Sequence, residues 1–467
     1  MFQVKNISLI LIGIFIGALS FFYPIFLLYF FLLGILLFFL LKVDSKDRSK
    51  LIKIVCIGLF LRICCSMISI FFVSISNVEN PAFYIQVIFP KFGALFRDLF
   101  RDIENGINLF NYFQGAYGDI SLKYIGTIVA SEGVPNYLNM SSYLLGLLNY
   151  FFGVSFLNLL CWPLIGIWVV VLTYCVAKEA FDHKVALMSS LIIALTPSLI
   201  GWAAINIRTS VGIMTFFIAI LFVLKFSKKN RIIFMFPVVL SFFLIFFFKS
   251  KIFMPYFFIM MLILFLSLHL RIFFKINLLI LFCFVVVAFP SFFQKKIAEV
   301  KTTIVTIHYA GATLEGNNNP IKIFPDKKFY QEDVNAQRVS WKMIFFSLPK
   351  GAAYFLFSPF FWRFNSPRQW MTYPQNIVWY FLFPFCIFGI IISLRFYYPG
   401  SFLLLVFSIF WISVMSLTVG NIGTLFRQRD FIFPFLMMFS MVGVRHFFIF
   451  WNKKFLIPVS NEEAGFS

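Results

Sequence analysis

The densest group of acids in the chain is FRDLFRDIENG, where Asp98, Asp102 and Glu104 are interleaved with Arg97 and Arg101. The sequence is 61% hydrophobic and 12% charged, so carboxylates gathered where an apolar run ends are expensive to keep and point to chemistry at a bilayer surface. A carboxylate there can take the proton from an attacking hydroxyl. A guanidinium can grip phosphate oxygens as a two-pronged fork and neutralise a leaving group, which suits transfer from a phosphate-linked lipid. The plainer reading is an interfacial helix whose acids pair with arginines four positions away or less.

Three further segments carry similar groups. The turn Asn206-Ile207-Arg208 follows Trp202, and GNIGTLFRQRD, Gly420 to Asp430, contains Arg427 and Arg429. Between them runs a long Asn-rich stretch with His308, Glu315, Asp326 and Glu332, followed by the aromatic patch YFLFSPFFWRF around Trp362. Arg427 and Arg429 precede a helix expected from near Phe431, whose N-terminal dipole favours phosphate, whereas snorkelling to headgroups is the alternative for them and for Arg208. His308 reads as a solvated loop residue or a substrate contact. Trp362, with Phe360 and Phe361, reads as an interfacial aromatic belt or as a surface that stacks on a sugar or guides a lipid tail.

Membrane helices must position these side chains. Long apolar runs and 72 phenylalanines leave too little polar surface to cover a water-soluble globule. The net charge of +21 is spread through short loops, not gathered on one basic face, which argues against nucleic acid and for contact with anionic headgroups. The seven cysteines fall inside apolar segments and suggest neither a disulfide framework nor a zinc site.

The expected fold is an all-α polytopic membrane protein of about 12 transmembrane helices, with two long extracytoplasmic loops carrying interfacial helices. Residues 1–53 read as a helical hairpin broken at Tyr23-Pro24 plus a basic cytoplasmic loop. Residues 54–293 form a core transmembrane region whose acidic first external loop spans 78–140, and NIRTS is the second external turn. Residues 294–375 read as an extracytoplasmic loop region, and 376–467 as C-terminal transmembrane helices with a short cytoplasmic tail. Crossing parity places the basic connections near Lys46, Lys229 and Lys453 inside and the four polar features outside. The spans hold almost no ionisable groups, which counts against an ion-coupled pump.

The run VSFLNLLCWPLIGIWVVVLTYCVAKEAFDHKVALMSSLIIALTPSLIGWAAINIRTS resembles the early helices of GT-C membrane glycosyltransferases, a superfamily that includes protein O-mannosyltransferases and aminoarabinose lipid A transferases. The likeness rests on Gly153-Val154-Ser155, Ala180-Phe181, the Ala194 to Leu199 run, Trp202 and Arg208. Downstream, LPKGAAYFLFSPFFW, QNIVWYFLFPFCIFGI and GTLFRQRDFIFPFLMMFSMVGV look like the closing helices of a bacterial branch.

The resemblance implies an inverting transfer from a polyprenyl-phosphate sugar, or another lipid-linked glycan, to an acceptor outside the cytoplasm. It implies a bacterial inner membrane and, as general base, an acid of the first external loop: Asp102, with Asp98 and Glu104 as rivals. Donor phosphate would meet Arg208, Arg427, Arg429 and Arg101, and substrate or lipid would touch Trp202, His308 and Trp362. Thr209 follows Arg208 where that family often carries an acid. No cofactor is implied, and a divalent cation is left open. A glycan polymerase or ligase is the alternative, and a lipid-linked oligosaccharide flippase or other transporter the reading from another class, although no internal two-fold repeat is visible.

Overall fold

The computed structural model describes residues 25–75, 140–152, 156–205, 207–229, 231–248, 340–360, 367–420 and 422–455, with a few isolated positions between. All regular elements among them are helical. The chain forms α1 (Ile25–Leu41), α2 (Ser45–Ile75), α3 (Met140–Phe152), α4 (Cys161–Gly166), α5 (Trp168–Ala180), α6 (His183–Leu195), α7 (Pro197–Ile205), α8 (Ile207–Lys229) and α9 (Met235–Phe248). There follow α10 (Trp341–Phe357), α11 (Pro367–Phe396), α12 (Gly400–Thr418), α13 (Ile422–Arg429) and α14 (Phe433–Phe455).

Six of the described spans are long and apolar enough to cross a bilayer, and a seventh is made by α6 and α7 together, bent by 58°. The bend has a local cause. Pro197 has no N–H to give, so the last carbonyls of α6 find other donors: Thr196 Oγ1 reaches Ile192 O at 2.8 Å and Thr196 N reaches Ile193 O at 3.4 Å. The expected NIRTS turn is tighter than read, because α8 starts at Ile207 and takes Arg208, Thr209 and Ser210 into its first turn. Within the stretch read as a loop region, Trp341–Phe357 is helix and packs against α12.

Charged side chains tie one end of the bundle together. Asp182 caps α6, with one oxygen accepting from Lys184 N at 2.9 Å and Val185 N at 3.1 Å. Its other oxygen takes Tyr397 Oη at 2.9 Å and the Arg445 guanidinium, so the α5–α6 turn is tied to α11 and α14. Lys178 pairs with Asp44, and Lys228 with Glu179 at 3.3 Å. The basic connections around Lys46 and Lys229 and the middle of α14 at Arg445 therefore share this end.

α11 and α14 cross closely. A Cβ at Gly389 would lie 1.8 Å from Phe439 O, and one at Gly443 would lie 2.0 Å from Phe385 O. Neither backbone can yield, so Gly443→Val must push the helices apart, with an expected loss of about 1–3 kcal/mol or more. Thermal unfolding in detergent should show a clearly lower Tm for Gly443→Val than for Gly34→Ala, where a Cβ meets nothing within 4 Å. Equal midpoints would contradict this packing.

Candidate functional site

At the opposite end of the bundle, α13 and the turn after it place three charged residues in a row of four. α13 is short and amphipathic, with Leu425, Phe426, Gln428 and Arg429 buried. Arg429 is fully buried and faces the end of α10. That helix stops at Phe357, which leaves its last carbonyls without helical donors. Arg429 Nη1 supplies Leu356 O and Ser358 O, each at 2.9 Å, and Nη2 reaches Asn376 Oδ1 at 2.8 Å. Asn376 Nδ2 then donates to Pro359 O at 3.0 Å, Trp379 Nε1 to Leu356 O at 2.8 Å, and Tyr380 Oη to Phe357 O at 2.6 Å. A positive charge at a helix C-terminus is also favoured by the helix dipole.

Asp430, the next residue, faces a helix end of opposite polarity. It is fully buried. Its Oδ1 accepts from Ser198 Oγ at 2.9 Å and its Oδ2 from Trp202 Nε1 at 2.6 Å, both on the first two turns of α7. Gln375 Oε1 takes the neighbouring backbone N–H of Ser198 at 3.1 Å. Burial pushes the Asp430 carboxyl up to about 6, against the pull of the adjacent Arg429 charge and of the hydrogen bonds around it.

Arg427 differs from Arg429. It is partly exposed, and its guanidinium lies over the Trp202 ring, 5.0 Å from the centroid. The indole thus carries a cation on its face while its N–H donates to Asp430. A guanidinium held on an aromatic plate at the surface of a bundle suits recognition of a phosphate oxygen pair.

The expected site residues therefore separate. Trp202, Arg427 and Arg429 gather at one end; Nη1 and Nη2 of Arg429 are committed to internal acceptors, whereas Arg427 is partly exposed. His308 is fully buried and not solvated: its Nε2–H donates to Leu417 O at 2.9 Å, and its ring meets Phe324 edge-on. Arg208 lies in the first turn of α8, but its side chain is outside the described set. Asp98, Arg101, Asp102, Glu104 and Trp362 also lie outside the described residues. Asp430, Ser198, Gln375 and Asn376 were not singled out from sequence, although an acid beside Arg429 before an apolar helix was a readable signal. Among the described residues no three His, Cys, Asp or Glu side chains converge as metal ligands would.

The titration of Asp430 has a definite sign. Its folded-state value lies above its ordinary 3.8, so the folded protein binds the extra proton between about pH 4 and pH 6, and stability falls as pH rises through that window. In detergent, the Tm of the wild type should decline across this range relative to Asp430→Asn, and parallel profiles would contradict the assignment. Compared with protein-family models, with curated proteins and with solved structures, the chain matches none.

Proposed function

We propose that the chain is an integral membrane glycosyltransferase of hexosyltransferase type. It takes a sugar from a polyprenyl-phosphate donor, or another lipid-linked glycan, and passes it with inversion to a cell-envelope glycan, lipid or protein outside the cytoplasm. The observation that carries this reading is the Arg427–Trp202–Asp430 group, at the bundle end opposite the basic connections. By the positive-inside rule the basic end faces the cytoplasm, which turns the Arg427 end outward.

In this reading Arg427 binds the donor phosphate and offsets the charge that develops as the glycosidic oxygen leaves. Trp202 holds the guanidinium in place and offers an aromatic edge to the sugar. Asp102 in the first external loop takes the acceptor hydroxyl proton. A polymerase or ligase joining lipid-linked oligosaccharides uses the same parts. A flippase or transporter is the second reading, favoured by the broken α6–α7 helix, since interrupted helices line substrate paths in many transporters.

Two measurements separate these readings. In Arg427→Ala, the Kd for polyprenyl-phosphate sugars, read by titration of the detergent-purified protein, should rise about 10- to 100-fold, the loss expected for one charge-assisted contact. Unchanged affinity would remove Arg427 from the donor site. Asp102→Asn keeps the side-chain size and removes the basicity, so turnover of a labelled donor in proteoliposomes should nearly vanish at normal expression. Normal turnover would rule out the base, and movement of intact donor across the bilayer without sugar transfer would favour the transporter.

A further inference from the structure

Arg62 lies 17 residues into α2 (62 − 45 = 17), about 26 Å along the helix. Its side chain is fully buried. One nitrogen, Nη1, does all its hydrogen bonding, donating to Gly58 O at 2.9 Å and Ala194 O at 3.3 Å. Ala194 O is open to it because the break at Pro197 turns Ser198 N away from α6 toward Gln375. Nε and Nη2 have no acceptor among the described residues. Those two atoms share one edge of the guanidinium plane, the edge whose parallel N–H bonds fit two oxygens of one oxyanion.

The surroundings repeat the pattern. α2 and the α4–α5 segment run antiparallel, since Lys178 near the end of α5 pairs with Asp44 just before α2. Gly166 on α4 lies beside Arg62, with a Cβ built there 3.8 Å from Nε and 2.4 Å from Ala203 Cβ on α7. One turn outward on the two helices are Ser66 and Trp162, and the buried Ser66 Oγ and Trp162 Nε1 also lack partners among the described residues. The seam between α2, α4 and α7 therefore offers four unmatched polar atoms, three of them obligate donors. Ser198 and Trp202 on the same helix turn to Asp430 instead. An unpaired guanidinium inside a membrane span is a functional feature by default, because its desolvation is otherwise uncompensated.

We infer that Arg62 forms a second anion site, distinct from Arg427, which takes a phosphate group side-on through Nε and Nη2 between α2 and α4. Phosphate fits better than carboxylate because its additional oxygens can reach Ser66 and Trp162. The group comes from a phospholipid headgroup or from free phosphate. This site stands whether or not the protein transfers sugars.

The test uses the full-length protein in phosphatidylcholine nanodiscs and reads Tm rather than turnover. A saturable rise of several degrees is expected with inorganic phosphate or with phosphatidic acid in the disc. A response to phosphatidic acid alone identifies a lipid headgroup, and a response to inorganic phosphate identifies the free ion. Arg62→Met, a volume-conserving apolar change that buried charges often tolerate, should fold and lose the response. Arg62→Lys keeps the charge but not the paired edge, so half-saturation should move up about tenfold. No saturable rise with either probe, or an equal rise in both variants, overturns the site.

Discussion

Two adjacent side chains, Arg429 and Asp430, hold opposite helix ends from a single point on the backbone. The guanidinium answers the carbonyls left open at the end of α10, and the carboxylate answers donors at the start of α7. Each charge faces the helix pole that favours it. Since both are fully buried, loss of either would leave an uncompensated charge and open polar groups, a far larger penalty than loss of a surface ion pair. The turn between α13 and α14 is thereby fixed in place. α14 continues from it to the Arg445–Asp182 contact, so the stretch from Asp430 to Arg445 carries a charged tie at each end.

This arrangement gives Arg427 its setting. It sits two residues before Arg429 on an eight-residue helix whose far end is pinned. Trp202, which carries its guanidinium, is pinned by the same carboxylate. A ligand meeting Arg427 would thus meet a group whose position is set by neighbours rather than by its own long side chain, and such support separates a binding group from a solvated one. The apolar core beneath does similar service: Trp411 and Phe431 stack below the turn, Phe216 meets both edge-on, and Trp411 Nε1 donates to Gln428 O at 3.0 Å. Indole N–H groups thus anchor the backbone or the carboxylate on both sides of α13.

The apolar helices were legible because the bilayer demands long hydrophobic runs. The apolar runs Phe402 to Leu417 and Phe431 to Trp451 agree within a few residues with α12 (Gly400–Thr418) and α14 (Phe433–Phe455). Helix that is not uniformly apolar was harder to see. The first turns of α11 are the polar PRQWMTYPQN, α10 contains Lys350 and Pro349, and α13 is half polar, so hydropathy alone hides all three. The site was half legible. Arg427 and Trp202 could be chosen by type, but the meaning of Asp430 comes from Ser198 and Trp202, more than two hundred residues earlier in the chain. Arg62 carries the simplest signal, a lone charge inside an apolar run.

The central claim is that a phosphate-bearing lipid donor is held at the Arg427 end of the bundle. An experimental structure with a non-hydrolysable polyprenyl-phosphate sugar analogue tests it most directly. The account expects phosphate oxygens about 3 Å from the Arg427 guanidinium, with the sugar beside Trp202. Density for the phosphate among the basic residues around Lys46, Lys229 and Arg445 would contradict it.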